Sequence, residues 1–161
     1  MKVTSRGEYA IRAALYMADH YGDGAIQMNE ISGRTQVPRK YLEQIFLALK
    51  GHGLVGTKRG NCGGYYLRRP PTNITVGQIL RIMDGPIAPM HCASVTAHED
   101  CSLAYGCALR TLWVEIREAI VGITDRTSLA DLCARQRRML STERPPKEPA
   151  AGEEFGHEHE G

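Results

Sequence analysis

No stretch of this 161-residue sequence approaches the run of about 18 apolar residues needed to cross a bilayer. The start, Met1-Lys2-Val3-Thr4-Ser5-Arg6, also lacks the apolar core of a secretory signal. Both absences lead to the expectation of a cytoplasmic protein with no membrane partner. An even set of cysteines is missing too, since the chain has five. Without an export signal, an odd count argues for metal ligands or redox thiols rather than a disulfide frame. No nucleophile–base arrangement is visible, and the one glycine-rich turn lies between strands rather than ahead of a helix. No enzymatic activity is expected.

The net charge of +2 hides an asymmetry. Residues 1–70 carry 11 Lys/Arg against 5 Asp/Glu, whereas residues 71–161 carry 9 against 13. A basic first half facing a polyanion fits this division. A merely solvated basic surface fits it as well, so charge alone decides nothing.

The apolar pattern is mainly helical. Ser5-Arg6-Gly7-Glu8 matches a capping box with Ser5 as N-cap, and Ala10, Ile11, Ala14, Leu15 and Ala18 follow on one helical face. Gly22-Asp23-Gly24 stops this helix. A second, short helix capped by Asn29 runs to about Thr35, residues 33–37 make a turn, and Pro38 suits the first position of a third helix. There Leu42, Ile45, Phe46 and Leu49 form an apolar stripe ended by Gly51 and Gly53. Two short strands, residues 54–58 and 65–68, flank the turn Arg59-Gly60-Asn61-Cys62-Gly63-Gly64. Thr75 caps a further helix bearing Val76, Ile79, Leu80, Ile82 and Met83.

Residues 85–107 show no periodicity, and a long helix spans 108–124. Its Leu109, Leu112, Ile116, Ala119 and Ile123 keep the spacing of a coiled-coil seam, widened by Trp113 and Ile120. One flank can pack on the chain's own domain and the other on a partner; alternatively, both are intramolecular core. A last helix, capped by Thr127 or Ser128, contains Leu129, Leu132 and Cys133. From Ser141 onward no apolar pattern survives, and the tail reads as disordered.

The expected fold is therefore mainly α with a small β-hairpin wing: a winged helix-turn-helix followed by a long dimerisation helix. Its parts are a DNA-binding unit (1–84), a cysteine-rich loop (85–107), a dimerisation helix with a final short helix (108–140) and a tail (141–161). Burying the third helix's stripe leaves Arg39, Lys40, Tyr41, Glu43 and Gln44 toward the other face. These side chains suit base edges in a major groove: arginine and lysine with guanine, glutamine with adenine, glutamate with cytosine. Lys58, Arg59 and Gly60 at the hairpin turn suit a wing in a narrow, electronegative minor groove. A helix-turn-helix used for protein interaction, with structural zinc, is the competing reading.

Cys92, Cys101 and Cys107 have eight and five residues between them. Three thiolates in one loop can wrap an iron–sulfur cluster, with a fourth ligand from elsewhere. A zinc site using one histidine, His91 or His98, fits tetrahedral coordination equally well, and a metal-free thiol switch is a further possibility. Cys133 lies in an apolar helical pattern and reads as core. The tract His157-Glu158-His159-Glu160 reads as incidental.

Thr4-Ser5-Arg6-Gly7-Glu8-Tyr9-Ala10, Tyr41-Leu42-Glu43-Gln44-Ile45-Phe46, Gly53-Leu54-Val55, Arg59-Gly60, Gly63-Gly64-Tyr65, Ile79-Leu80 and the cysteine loop form a specific set. Over residues 1–135 the chain resembles the IscR/NsrR/CymR-type winged-helix transcription regulators of bacteria. The resemblance implies a repressor-like homodimer on a palindromic double-stranded DNA operator, with the long helix as dimer interface. It further implies a 2Fe–2S or 4Fe–4S cluster on the three loop cysteines. Where one branch of the family places a histidine ligand, this chain has Arg110. Glu8 resembles the acidic ligand that another branch supplies from the partner subunit. Cys62 within the wing departs from the family pattern.

Overall fold

The structure, a computed structural model, describes residues 3–60, 63–97 and 99–142. Asn61, Cys62, His98 and residues 143–161 lie outside the described residues, and with them the wing thiol, one candidate ligand, the histidine tract and most of the expected tail. The elements are α1 (Ser5–Asp19), α2 (Met28–Thr35), α3 (Arg39–Gly51), β1 (Val55–Lys58), β2 (Gly64–Leu67), α4 (Val76–Asp84), α5 (Ala108–Thr124) and α6 (Leu129–Thr142). Short 3-10 turns cover Pro71–Asn73 and His91–Ala93. Six helices and one hairpin match the expected class, a winged helix-turn-helix with a long helix behind it.

α1 is the hub, packing against α2, α3, α4 and α6. Its buried face is built largely from small residues, Gly7, Ala10, Ala13, Ala14 and Ala18, which let four helices approach closely. Around it Ile31, Val37, Leu42, Ile45, Phe46, Leu49, Ile74, Ile79 and Leu129 are fully buried. The Leu42/Ile45/Phe46/Leu49 stripe is thus consumed by the core, and Phe46 stacks on the wing residue Tyr65 with centroids 4.5 Å apart.

The helix ends depart from the sequence expectation in three places. Thr4, not Ser5, caps α1: its hydroxyl accepts from the Gly7 N–H at 3.2 Å. Glu8 does not close a capping box and instead pairs with Arg12 at 2.5 Å. The reason lies 80 residues away. Asp84, at the end of α4, accepts from the Thr4 N–H at 3.1 Å and from its hydroxyl at 2.5 Å, which anchors Thr4 as the cap. Gln27 rather than Asn29 precedes α2, and Pro38 is the N-cap of α3 rather than its first residue. The turn between α2 and α3 passes through Gln36 in the left-handed region, φ 57°, while Ser32 donates to the Val37 carbonyl at 2.8 Å.

The remaining caps follow the sequence. Thr75 and Gln78 form a reciprocal capping box on α4. Ser128 caps α6, exchanging bonds with Asp131, whose carboxyl is held below its usual range by those bonds from Ser128. α6 runs to Thr142, longer than the short helix expected, so its end overlaps the segment read as tail.

α5 contains no buried residue. Its attachment to the winged helix is polar: Arg81 of α4 clasps Asp125, at the end of α5, through two bonds of 2.7 and 2.8 Å. Gly77 makes room, because a Cβ there would overlap Asp125 Oδ1. Next to this lock the backbones pair directly, Val76 N–H to Thr127 O and Leu129 N–H to Ile74 O, both at 2.9 Å. Among the described residues, no helix is long and apolar enough to cross a membrane.

Gly77→Ala tests the lock. Alanine gains about 1 kcal/mol of helix propensity over glycine, but overpacking costs about 1–3 kcal/mol, because Asp125 cannot yield without opening its bonds to Arg81. The expected net loss is on the order of 1 kcal/mol. In an Asp125→Ala background the clash is gone, and the same substitution should stabilise by about 1 kcal/mol. Urea unfolding at fixed protein concentration reads both; equal effects in the two backgrounds contradict the packing described.

Candidate functional site

α3 presents its outer face to solvent, and Arg39, Lys40, Tyr41, Glu43 and Gln44 are all exposed. Four of them are engaged in ways the sequence does not show. Tyr41 turns its ring against Tyr9 of α1, edge to face at 5.5 Å, with the Lys40 ammonium 5.3 Å from its centroid. Arg39 sits 4.0 Å from Glu43, an exposed pair worth little. Among the described residues, Gln44 is the polar side chain of the first turns that neither an ion pair nor a ring contact engages. One turn on, Leu47 is 73% exposed on the same outward side, a residue that the polar reading of this face misses.

The wing is fixed to the end of α3. Leu54 N–H bonds to Leu49 O at 3.0 Å, and Arg68 N–H bonds back to Leu54 O at 2.9 Å. β1 and β2 pair antiparallel from Val55↔Leu67 to Lys58↔Gly64. Ile26 and Tyr65 exchange both backbone bonds, which seats the hairpin on the connection between α1 and α2. Only glycine fits at position 64, since a Cβ would overlap the Ile26 carbonyl. Lys58, Arg59 and Gly60 are exposed, and the Gly63 N–H closes the turn onto Gly60 O at 2.8 Å. Arg68 and Arg69 emerge exposed where β2 ends, and Lys50 reaches Thr57 at 3.4 Å. These three also escaped the sequence reading, because only the returning hairpin brings Thr57 to Lys50 and sets Arg68 and Arg69 at the end of the wing.

Residues 39–69 contain seven Lys/Arg and one acidic residue, Glu43. This single unit therefore carries an excess equal to that of the whole first half of the chain. It is a concentrated cationic surface on a rigid support.

Beyond the buried Ile87, Ala93 and Ser94, the cysteine loop is organised by hydrogen bonds rather than by burial. Cys92 lies in the His91–Ala93 turn and Cys107 is the N-cap residue of α5, both half-buried; Cys101 is exposed, and all three thiols are free. Successive turns link them: Ala104 N–H to Cys101 O, Cys107 N–H to Ala104 O and Arg110 N–H to Cys107 O. Arg110 Nε also donates to Cys92 O at 3.3 Å. Among the described residues, no three His, Cys, Asp or Glu side chains converge at metal-holding distance. Glu8 is engaged with Arg12 on α1, and His91 lies 3.7 Å from Glu99. The loop does fit a thiolate-held group in donor chemistry. It offers soft sulfur ligands that are free and accessible, on a stretch exposed from Glu99 to Gly106.

Cys133 behaves as its apolar pattern predicts. It is 6% exposed, its Sγ donates to Leu15 O at 3.9 Å, and burial, with Asp19 nearby, pushes the thiol's pKa up. On α5, Leu109, Leu112, Ala119 and Ile123 are exposed and Ile116 is half-buried, so the described residues leave most of the seam uncovered.

The Rrf2 family, described as iron-dependent transcriptional regulators, matches residues 3–135. The HTH-type transcriptional regulator CymR of Bacillus subtilis is 34% identical over 134 residues, spanning 83% of this chain and 91% of its own length. The regulator IscR of Serratia proteamaculans is 33% identical over 144 residues, spanning 89% and 86%. The solved structure of B. subtilis CymR, the global cysteine regulator, superposes with a TM-score of 0.73 at 32% identity, covering 84% of this chain and 98% of that one.

Proposed function

The chain belongs to the Rrf2 family of transcriptional regulators, a non-enzymatic family, and from that membership we propose that it binds a palindromic DNA operator as a homodimer under the control of its cysteine loop. The cationic unit of α3 and the wing carries this reading, with seven basic residues against one acidic residue. Phosphate contacts from such a surface supply affinity, and side chains on base edges supply sequence. In each half-site Arg39, Lys40, Tyr41, Glu43 and Gln44 face the major groove and Lys58, Arg59 and Gly60 the minor groove. Leu47 joins the first set.

Dimerisation answers the exposed seam of α5. Pairing Leu109, Leu112, Ile116, Ala119 and Ile123 with a second copy removes apolar surface from water. It also places two α3 helices at a fixed separation. Leu112→Glu with Ile116→Glu should sediment as a monomer and lose operator binding, while the wild type sediments at twice the chain mass.

Cys92, Cys101 and Cys107 would hold an iron–sulfur cluster, 2Fe–2S or 4Fe–4S, with Glu8 completing the set across the dimer. The cluster would supply a bond network that oxidants or iron supply can break, and this chain's part is to order the loop only while those bonds exist. The family's description as iron-dependent supports this reading. A metal-free thiol switch is favoured by a different observation, the separate, accessible thiols. Anaerobic purification followed by visible absorption and iron and sulfide assays separates the two. Cys92→Ser, Cys101→Ser and Cys107→Ser should each abolish the chromophore, Cys133→Ser should keep it, and Glu8→Ala should shorten its lifetime in air. Colourless protein, zinc-loaded or metal-free, rejects the cluster.

Recognition by helix and wing should separate in binding assays. Gln44→Ala or Glu43→Ala should relax preference at defined base pairs, by about 1–3 kcal/mol for a bidentate contact. Arg59→Ala should weaken binding most where the flanks are A·T-rich. Equal losses on operator and random duplex for all three variants contradict base readout by α3.

A further inference from the structure

The His91–Ala93 turn is docked on α5 by two arginines of that helix. Arg110 Nε donates to Cys92 O at 3.3 Å, and Arg117 Nη1 donates to Ala93 O at 2.7 Å. The two arginines stand seven positions apart, two helical turns, and so share one face of α5. Their acceptors are consecutive carbonyls. The Arg117 side chain is only 17% exposed, with Glu118 3.0 Å from its other amino group. Ala93 and Ser94 beside it are buried, at 2% and 6% exposure. Arg117 also lines a cavity of about 280 Å³ together with Ile87, Ser94, Val121 and Arg81, the residue that clasps Asp125.

A buried carbonyl needs a donor, and a guanidinium gives a charge-assisted one. Satisfying the Ala93 carbonyl would take one arginine from anywhere. Here two arginines on one helix face hold the carbonyls of Cys92 and its neighbour, so displacement of Cys92 moves the acceptors of both. We propose that Arg110 and Arg117 are positioning residues that dock the Cys92 turn on α5 and pass the chemical state of that cysteine to the dimer helix. This deepens, and rests on, the reading of the loop as the controlling element. A bulky or bonded Cys92 sulfur pulls the turn. The turn's carbonyls either drag α5 or release it, and the Arg81–Asp125 lock carries the change into α4.

The test uses the full chain, metal-free and reduced, with Cys62→Ser, Cys101→Ser and Cys107→Ser, leaving Cys92 as the loop thiol and buried Cys133 as an internal control. Iodoacetamide is the probe, and peptide mass spectrometry reads each thiol. Arg117→Met should speed alkylation of Cys92 on the order of tenfold, the scale of one lost charge-assisted bond on a locally opening turn, with Cys133 unchanged. Arg117→Lys, which keeps the charge and most of the stem, should lie between and serves as the readout if the methionine variant does not fold.

Operator affinity is then measured before and after alkylation. With Arg117 present, alkylation should shift the affinity; with methionine there, the two values should coincide. An unchanged Cys92 rate in the variants overturns the docking. A faster rate with the affinity shift intact overturns the transmission and leaves Arg117 a purely structural residue. If alkylation shifts nothing even with Arg117 present, the controlling role of the loop fails and transmission falls with it, while the rate alone still decides the docking.

Discussion

The relation between the DNA-facing unit and the long helix behind it depends on the Arg81–Asp125 pair seated over Gly77. No α5 residue belongs to the buried apolar core, which therefore does not by itself fix where the helix lies. A bidentate guanidinium–carboxylate contact does, because two parallel bonds set angle as well as distance. Asp125 raises the already high pKa of Arg81, so the cation persists at any relevant pH. Both side chains are more than a third exposed, which limits what the pair adds to stability. Its importance is geometric.

A second aspartate does for α1 what Asp125 does for α5. Asp84 ends α4, binds the Thr4 backbone and hydroxyl, and lies so close to Gly7 that a Cβ there would overlap it. α4 is thus a nine-residue strut whose last turn carries both locking side chains, Asp84 toward the hub of the helix-turn-helix and Arg81 toward α5. In both locks a helical glycine faces the carboxylate, and the glycine accepts its propensity cost because the contact needs the missing methyl. α5, α4 and α1 are thus joined by side-chain locks between helices, and α1 packs in turn on α3.

The two functional regions obey opposite physical rules. The α3–wing unit is preorganised: its apolar stripe is sealed in the core, the hairpin is bonded to Ile26 and Leu54, and the cationic side chains project from a fixed frame. The cysteine loop is held by a few turn bonds and two arginines, and its thiols stay apart. Rigidity suits presenting side chains to a duplex at fixed positions. Weak restraint would suit the controlling role proposed for the loop, since a segment can respond only if its alternative arrangement lies within a few kcal/mol.

Much of the architecture was legible in the sequence because its signals are local. The stripe of α3, the bounds of α5 at Ala108 and Thr124, the Thr75–Gln78 box and the strand–turn–strand of the wing all follow from periods and spacings within a single element. The exposed polar face of α3 was legible for the same reason, since a buried stripe at one set of positions exposes the rest. Whatever depends on a partner far along the chain was decided by the tertiary structure. Ser5 and Thr4 are equally good caps on paper, and Asp84, contributed by another helix, selects Thr4. The left-handed Gln36, the reach of Lys50 to Thr57 of the wing, and the grip of Arg110 and Arg117 on the Cys92 turn have the same origin. A periodic pattern records which face of an element is buried, whereas the pairing of two polar groups 20 or 80 residues apart exists only once the core has brought their elements together.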